Sequence, residues 1–243
     1  MPTLSVNGCT YFYEEIGSGD ETIVFGHGYL MTHRLWTSQI EAFRDTYRCI
    51  VFDWRGQGQT EIPESGYGVP NLARDAAELI RSLDASPCHY VGLSMGGFVG
   101  FHLLTDHAPL LRSAALLDTS AEAEPLTTRL KYEAMLQTVR RIGYDPVLPR
   151  VLPILFGPDF RRNRSDEVKR WTDIITSQDR EGIYRAGRGI FRRKSHLAAL
   201  GGARTPTLLL TGAEDVATPP DRARKAHDAL PNSQFLLLPG AGH

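Results

Sequence analysis

Residues 91–97, Val-Gly-Leu-Ser-Met-Gly-Gly, are the stretch of this chain that decides its fold. They follow a short apolar run and precede a longer run with a helical pattern. A G-x-S-x-G sequence in that setting places its serine on a strained turn at the top of a sheet. We expect Ser94 at positive φ, with Gly92 and Gly96 lacking the Cβ atoms that would clash across the turn. The segment therefore predicts a strand, a nucleophilic serine and a helix.

Short apolar runs alternate with longer helical patterns in both directions from this segment, which predicts parallel strands joined by crossover helices. The predicted strands are 22–25, 49–53, 89–93, 114–118, 206–212 and 234–239, and the predicted helices are 33–44, 72–83, 95–107 and 220–230. Residues 4–6 and 10–15 flank Asn7-Gly8, which predicts an antiparallel hairpin at the sheet edge. The expected fold class is α/β, with a mostly parallel central sheet flanked by helices.

The pattern changes between residues 119 and 200, where only helical periodicity remains, over 130–142, 147–155, 168–176 and 180–191. We interpret 119–200 as a helical cap inserted into a core formed by 1–118 and 201–243. Pockets of open α/β sheets lie at the carboxyl ends of the strands, so the cap is expected over that edge.

The composition excludes several classes of function. The chain has 243 residues, a net charge of -1 and 42% hydrophobic residues, which is the balance of a globular domain without affinity for polyanions. Its 3 cysteines have neither metal-ligand spacing nor a disulfide framework. We see no signal peptide and no apolar run of roughly 18 residues. We therefore expect a cytoplasmic protein that binds a small molecule rather than nucleic acid or membrane. Its oligomeric state stays open.

A serine nucleophile needs a base and an acid that orients the base. Asp215 follows the predicted strand 206–212, and His243 follows the last predicted strand. Both should lie at the same sheet edge as Ser94, and the chain order Ser, Asp, His suits this topology. Glu214, beside Asp215, and Asp118, at the end of the predicted strand 114–118, remain alternatives for the acid.

Two backbone N–H groups should bind the oxyanion. Met95 N–H begins the helix after the serine, and Tyr29 N–H belongs to the loop after strand 22–25. His27 is expected to brace that loop, and an internal ion pair between Asp53 and Arg55 is expected to hold the next one. Candidates for the pocket lining are Tyr29, Trp36, Met135, Phe156 and Ile190.

With these residues in place, the chain resembles the α/β-hydrolase family over nearly its whole length. The matching segments are Gly-His-Gly at 26–28, Asp-Trp-Arg-Gly-Gln-Gly at 53–58, Gly-Leu-Ser-Met-Gly-Gly at 92–97, Gly-Ala-Glu-Asp at 212–215 and Pro-Gly-Ala-Gly-His at 239–243. The serine segment and the loop around Thr218 are similar to those of small carboxylesterases and 3-oxoadipate enol-lactonases. The resemblance implies hydrolysis of a small ester or lactone through a serine ester, without a metal or an organic cofactor.

The same triad serves other activities. Carbon–carbon bond hydrolases and cofactor-free haloperoxidases or perhydrolases share it, and the fold also occurs as a non-catalytic ligand receptor. Members of the family continue past the histidine with another helix. Because this chain ends at His243, we expect a shortened form of a longer protein. The alternative is a complete protein whose terminal carboxylate raises the imidazole pKa, with weak activity and lowered stability.

Overall fold

A computed structural model describes residues 2–243 of the chain. In this part, the strands are β1 Thr3–Val6, β2 Cys9–Ile16, β3 Glu21–Gly26, β4 Tyr47–Phe52, β5 Cys88–Leu93, β6 Leu111–Leu117, β7 Thr207–Gly212 and β8 Ser233–Leu238. The α-helices are α1 Thr37–Phe43, α2 Val69–Ser82, α3 Met95–Asp106, α4 Leu126–Arg141, α5 Leu148–Leu155, α6 Pro158–Asn163, α7 Ser165–Ser177, α8 Arg180–Phe191 and α9 Pro220–Ala229.

The strands form one eight-stranded sheet in the order β1-β2-β4-β3-β5-β6-β7-β8. Strands β3 to β8 run parallel to one another, whereas β2 is antiparallel to both of its neighbours, β1 and β4. At the β1–β2 turn, Asn7 and Gly8 have φ values of 46° and 71°, the left-handed pair that a two-residue hairpin requires. The mostly parallel sheet with flanking helices confirms the predicted α/β fold class.

Helices α2 and α3 pack against the sheet and supply much of its apolar core. Leu72, Ala76 and Leu79 of α2 are buried in the same cluster as Val99 of α3. Helix α2 begins three residues before the predicted start, because Pro70 suits the first turn of a helix, where no N–H donor is needed. The predicted helix 33–44 divides into a 3₁₀ turn and α1.

Five helices, α4 to α8, lie between β6 and β7, and we call residues 126–191 the helical insertion. Val139, Trp171 and Ile183 of this insertion pack with Leu30 and Met31, which follow β3. Helix α6 was not predicted, because its six residues are too few to show a helical period. The insertion therefore lies against the loop that follows β3.

The remaining compositional predictions concern thiols and membranes. Cys9, Cys49 and Cys88 are free and buried, and burial raises the pKa of the Cys9 and Cys88 thiols to about 12. Within residues 2–243, no helix combines the length and the apolar composition that crossing a bilayer requires.

Candidate active site

Ser94 occupies the sharp turn between β5 and α3, with φ 52° and ψ -109°. This is the strained conformation that the glycine spacing predicts. A Cβ atom on Gly92 would meet the carbonyl oxygen of Gly96, and one on Gly96 would meet that of Gly26. The backbone N–H of Ser94 donates to the carbonyl of Leu117 at 2.9 Å, which ties the turn to β6. The local sequence thus holds the Ser94 side chain at the carboxyl edge of the sheet.

Asp215 and His243 form a hydrogen-bonded pair at the same edge. Oδ2 of Asp215 lies 2.9 Å from Nδ1 of His243. The carboxylate also accepts hydrogen bonds from the backbone N–H groups of Ala217 and Thr218 and from the Thr218 hydroxyl. Glu214, the neighbouring alternative, is exposed. Because an ionised carboxylate only accepts hydrogen bonds, the imidazole nitrogen that faces Asp215, Nδ1, carries the proton.

The electrostatics of this pair favour charge on both partners. Burial opposes ionisation of Asp215, but hydrogen bonds from His243 and Thr218 hold the pKa of its carboxyl below the usual range. Burial likewise disfavours the imidazolium of His243, but the Asp215 hydrogen bond and the charges of Asp215 and Asp118 raise its pKa above 6.5. His243 is thus a stronger base than a free histidine.

Asp118, the alternative acid from β6, lies beside this pair. Its φ is 44°, it is 7% exposed, and its Oδ1 accepts the backbone N–H of Gly212 at 2.8 Å. Ligand atoms of Asp118, Asp215 and His243 all lie within 4.8 Å of one another. Burial raises the pKa of Asp118 to about 6. The carboxylate that accepts the hydrogen bond from His243 is nevertheless that of Asp215.

The two predicted oxyanion donors belong to segments that adjoin Ser94. Met95 is the first residue of α3, where backbone N–H groups have no partner within the helix. Among residues 2–243, the backbone N–H of Tyr29 has no hydrogen-bond acceptor. Gly28, which precedes Tyr29, is packed against Leu93 and Ser94 closely enough that a Cβ would contact both. Both amides are therefore available near the serine.

His27 braces the loop, as its position predicts. Its Nδ1 lies 2.7 Å from the carbonyl of Gly28, and its Nε2 accepts the backbone N–H of Trp54 at 3.1 Å. One nitrogen donates and the other accepts, so the ring is neutral. Complete burial lowers its pKa to about 4. His27 is thus a structural link between the loops after β3 and β4.

A large cavity connects Ser94 with His243, since both side chains line it. Its open volume, including the mouth, is about 920 Å³. The rest of its wall is predominantly aliphatic and aromatic and comes mostly from the helical insertion: Tyr132, Met135, Leu136, Val139, Tyr144, Val147, Leu148, Val151, Ile154, Leu155, Ile175, Ile183, Ile190 and Phe191. Within residues 2–243, no hydrogen bond joins Ser94 Oγ to His243, a contact that commonly tightens only when substrate binds.

The predicted lining residues divide between three places. Tyr29, Met135 and Ile190 line the cavity. Phe156 instead lines a smaller neighbouring pocket that also reaches His243. Trp36 is buried against Phe25 in the core, with ring centroids 5.2 Å apart. Apolar periodicity alone does not separate residues that face a cavity from residues that face the core.

The predicted ion pair between Asp53 and Arg55 is wrong. Asp53 accepts the backbone N–H of His33 at 2.7 Å, and its carboxylate lies 3.0 Å from His33 Nδ1. Arg55 instead pairs with Asp75 of α2, 3.1 Å from Nη2 to Oδ1. Tyr11 of β2 also donates to Asp75, at 2.7 Å. His33 and Asp75 each lie 20 residues away in sequence from the residue that they contact, so local spacing did not predict these pairs.

Two supporting residues were missed by sequence reasoning, although both lie in quoted segments. Thr218 donates its hydroxyl to Asp215, and Gln57 accepts the backbone N–H of Leu30 at 2.9 Å. Hydroxyl donors after an acidic residue and amides in a buried turn are weak signals in sequence. Their roles become visible only as contacts.

A second group of potential metal ligands comprises His102 and Asp106 of α3 and His196, which follows α8. His102, Asp106 and His196 bring ligand atoms within 4.8 Å of one another. The rings of His102 and His196 are 3.8 Å apart between centroids, and Asp106 Oδ2 lies 3.2 Å from His102 Nδ1. His196 Nε2 lies 2.8 Å from the hydroxyl oxygen of Thr105, so each of the three side chains has a polar partner within the protein.

The sheet order and the serine turn define an enzyme-type α/β fold, and comparison with known proteins agrees. The sequence profile of the alpha/beta hydrolase fold family matches residues 21–243. This chain belongs to that family.

Individual relatives cover most of the chain. BpoC of Mycobacterium tuberculosis, named as a candidate non-heme bromoperoxidase, is 32% identical over 95% of this chain and 89% of its own. A thermophilic esterase from Thermogutta terrifontis superposes with a TM-score of 0.91 and 28% identity, covering 99% of this chain and 89% of its own. An enol-lactonase from Burkholderia xenovorans LB400 shares the fold with a TM-score of 0.91 and 24% identity, over 98% of this chain and 91% of its own.

Proposed function

We propose that this chain is a serine hydrolase that cleaves small carboxylic esters or lactones. The observation that carries the proposal is the convergence of the strained Ser94 turn and the Asp215–His243 pair on one apolar cavity. A nucleophile, a base and an orienting acid are the elements of acyl transfer through a serine ester. The relatedness to an esterase at 28% identity supports this class of reaction.

In the proposed mechanism, Ser94 Oγ attacks the carbonyl carbon of the substrate while His243 Nε2 takes the hydroxyl proton. The Nδ1–H of His243 points at Asp215, which stabilises the imidazolium. The backbone N–H groups of Tyr29 and Met95 donate to the oxyanion. His243 then protonates the departing alkoxide, and Ser94 remains as an ester.

Water completes the cycle. His243 removes a proton from a water molecule, the hydroxide attacks the acyl-Ser94 carbonyl, and the second tetrahedral intermediate collapses. The proton returns to Ser94 Oγ, and the carboxylic acid is released. The net reaction consumes one water and leaves the protein unchanged.

The cavity wall supports substrates with uncharged, apolar acyl chains. Burying a charged group against aliphatic and aromatic side chains is unfavourable without a partner. Glu124, a carboxylate in the wall, is already paired with Arg193 at 2.7 Å and with Arg222 at 3.0 Å. We therefore expect esters with an uncharged acyl group to react faster than half-esters of dicarboxylic acids, whose acyl group carries a free carboxylate.

The test is hydrolysis of p-nitrophenyl acetate and butyrate by the chain and by Ser94→Ala, together with labelling by a fluorophosphonate. Loss of the nucleophile is expected to cut the rate by roughly 10³-fold or more and to abolish labelling. Ser120→Ala is the matched control, because Ser120 is buried near the same edge but outside the cavity wall. Equal background rates in all three proteins would indicate a binding protein and overturn the proposal.

Perhydrolysis is a second candidate, favoured by the 32% identity to BpoC. Hydrogen peroxide in place of water would release a peracid from acyl-Ser94, and the peracid would oxidise bromide. Bromination of an indicator dye in acetate buffer with peroxide tests this activity. Dependence on both acetate and Ser94 is the expected result, and bromination by Ser94→Ala would exclude the serine route.

A further inference from the structure

The loop that carries the oxyanion donor Tyr29 contains a leucine in an unfavourable conformation. Leu30 has φ 70°, and the N–H of Met31 donates to the carbonyl of Gly28 at 3.1 Å, which closes a turn. Left-handed φ at the third position of such a turn favours glycine, because a side chain there crowds the backbone. Contacts elsewhere must therefore hold Leu30 in place.

Two buried glutamines hold both polar backbone atoms of Leu30. Its N–H donates to Oε1 of Gln57 at 2.9 Å, and its carbonyl accepts from Nε2 of Gln178 at 2.6 Å. Gln57 follows β4 and is 1% exposed, whereas Gln178 joins α7 to α8 and is 8% exposed. The conformation of the turn thus depends on one residue of the core and one of the helical insertion.

Further contacts fix Gln178 itself. Its Oε1 accepts the backbone N–H of Gly58 at 3.1 Å, and its backbone carbonyl accepts the hydroxyl of Tyr144 at 3.0 Å. The hydroxyl of Tyr29 donates to the carbonyl of Ile183 in α8 at 2.8 Å. Residues 178–183, at the start of α8, therefore hydrogen-bond to the turn at both Tyr29 and Leu30.

We propose that Gln178 is a positioning residue for the oxyanion hole, through which the helical insertion sets the rate of the chemical step. The inference rests on the proposed hydrolase function. Without the hydrogen bond from Gln178, Leu30 relaxes toward negative φ, and the peptide planes of the turn rotate. The N–H of Tyr29 then no longer points at the oxyanion. Substrate still binds, because most of the cavity wall comes from other residues of the helical insertion.

Gln178→Glu is the sharpest variant. A carboxylate has the size of the amide and still accepts the N–H of Gly58, but it has no donor for the carbonyl of Leu30. Misplacing a catalytic group by about 1 Å costs on the order of 10²-fold in rate. We expect kcat for p-nitrophenyl butyrate to fall roughly 10- to 100-fold, with KM changed less than about 3-fold.

Affinity for a trifluoromethyl ketone is the decisive readout. Such a ketone forms a tetrahedral adduct with Ser94 whose oxyanion occupies the hole, so its inhibition constant should rise by the same factor as kcat falls. A purely structural role for Gln178 would lower the melting temperature without that correlation. Leu30→Gly supplies a second readout, because glycine adopts the left-handed conformation freely. In that background, Gln178→Glu should cost less than in the parent.

The control is Gln137→Glu, the same substitution on α4. Gln137 Nε2 donates to the hydroxyl of Tyr184 at 2.8 Å, outside the oxyanion loop, so its variant should keep the parent's kcat and inhibition constant. If Gln178→Glu does not fold, Gln178→Met removes the same donor without a charge. An active parent with Gln178 variants of unchanged kcat and ketone affinity overturns this inference alone. A parent no faster than Ser94→Ala overturns the proposed function, and the inference falls with it.

Discussion

Nδ1 of His243 lies 2.9 Å from Oδ2 of Asp215, although 27 residues of loop, helix and strand separate the two positions in the chain. The contact forms because β7 and β8 are parallel neighbours, so that the segments after them begin at the same edge of the sheet. Asp118, at the end of the adjacent strand β6, reaches the same place. Two carboxylates therefore face one imidazole, and their roles are separable by experiment.

Asp215→Asn is expected to lower kcat/KM for p-nitrophenyl butyrate by roughly 10³- to 10⁴-fold. The amide would present a donor as well as an acceptor to His243 and so permit the wrong tautomer. Asp118→Asn should cost less than about 10-fold at pH 8, because Asp118 makes no hydrogen bond to the ring. The comparison is made by steady-state kinetics on both variants. A larger loss in Asp118→Asn would assign the acid to β6.

In the pH profile of kcat/KM, the decrease on the acid side (the acid limb) should have its midpoint above the ordinary histidine pKa. His243 acts as a base only when neutral, and its pKa is raised above 6.5, so kcat/KM falls as the pH drops through that raised value. Asp118→Asn removes one of the charges that raise the pKa and should move the limb to lower pH. Glu214→Gln, a neighbouring exposed carboxylate, should leave the limb in place. A limb that moves equally in both variants would contradict this account.

Val139→Phe should shorten the acyl chain that the enzyme accepts. Val139 is buried on α4 and lines the cavity, so a larger side chain there takes volume from the substrate. We expect kcat/KM for p-nitrophenyl octanoate to fall at least about 10-fold relative to the acetate. Leu130→Phe places the same side chain at a position of α4 that is 63% exposed and serves as the control. Unchanged chain-length preference would show that acyl chains bind elsewhere.

Arg55→Met should destabilise the fold by about 3–5 kcal/mol, because it leaves the buried carboxylate of Asp75 without its charged partner. Urea-induced unfolding measures the loss. Arg81→Met on α2 removes an exposed arginine that pairs with Glu78 at 3.3 Å, and it should change the free energy of unfolding by less than about 1 kcal/mol. Similar losses in both variants would contradict the assigned role of Asp75.

The elements of the fold were readable from sequence because they depend on a few consecutive residues. Asn7-Gly8 specifies its hairpin through two left-handed φ values, and the glycines around Ser94 specify the turn through missing Cβ atoms. Apolar periodicity identifies strands and long helices for the same reason. It failed for α6, whose six residues are shorter than two helical turns.

Only the tertiary structure decided which side chains meet. Asp118 and Asp215 both follow strands, but among residues 2–243 only Asp215 accepts hydrogen bonds from Thr218 and His243. Arg55 finds Asp75 rather than its sequence neighbour Asp53, and Gln178 reaches Leu30 across 148 positions of chain. Such contacts depend on distances of a few ångströms between segments that the chain brings together from afar. Local sequence patterns determine the backbone conformation, whereas the packing of the sheet against the helical insertion determines which distant side chains contact each other.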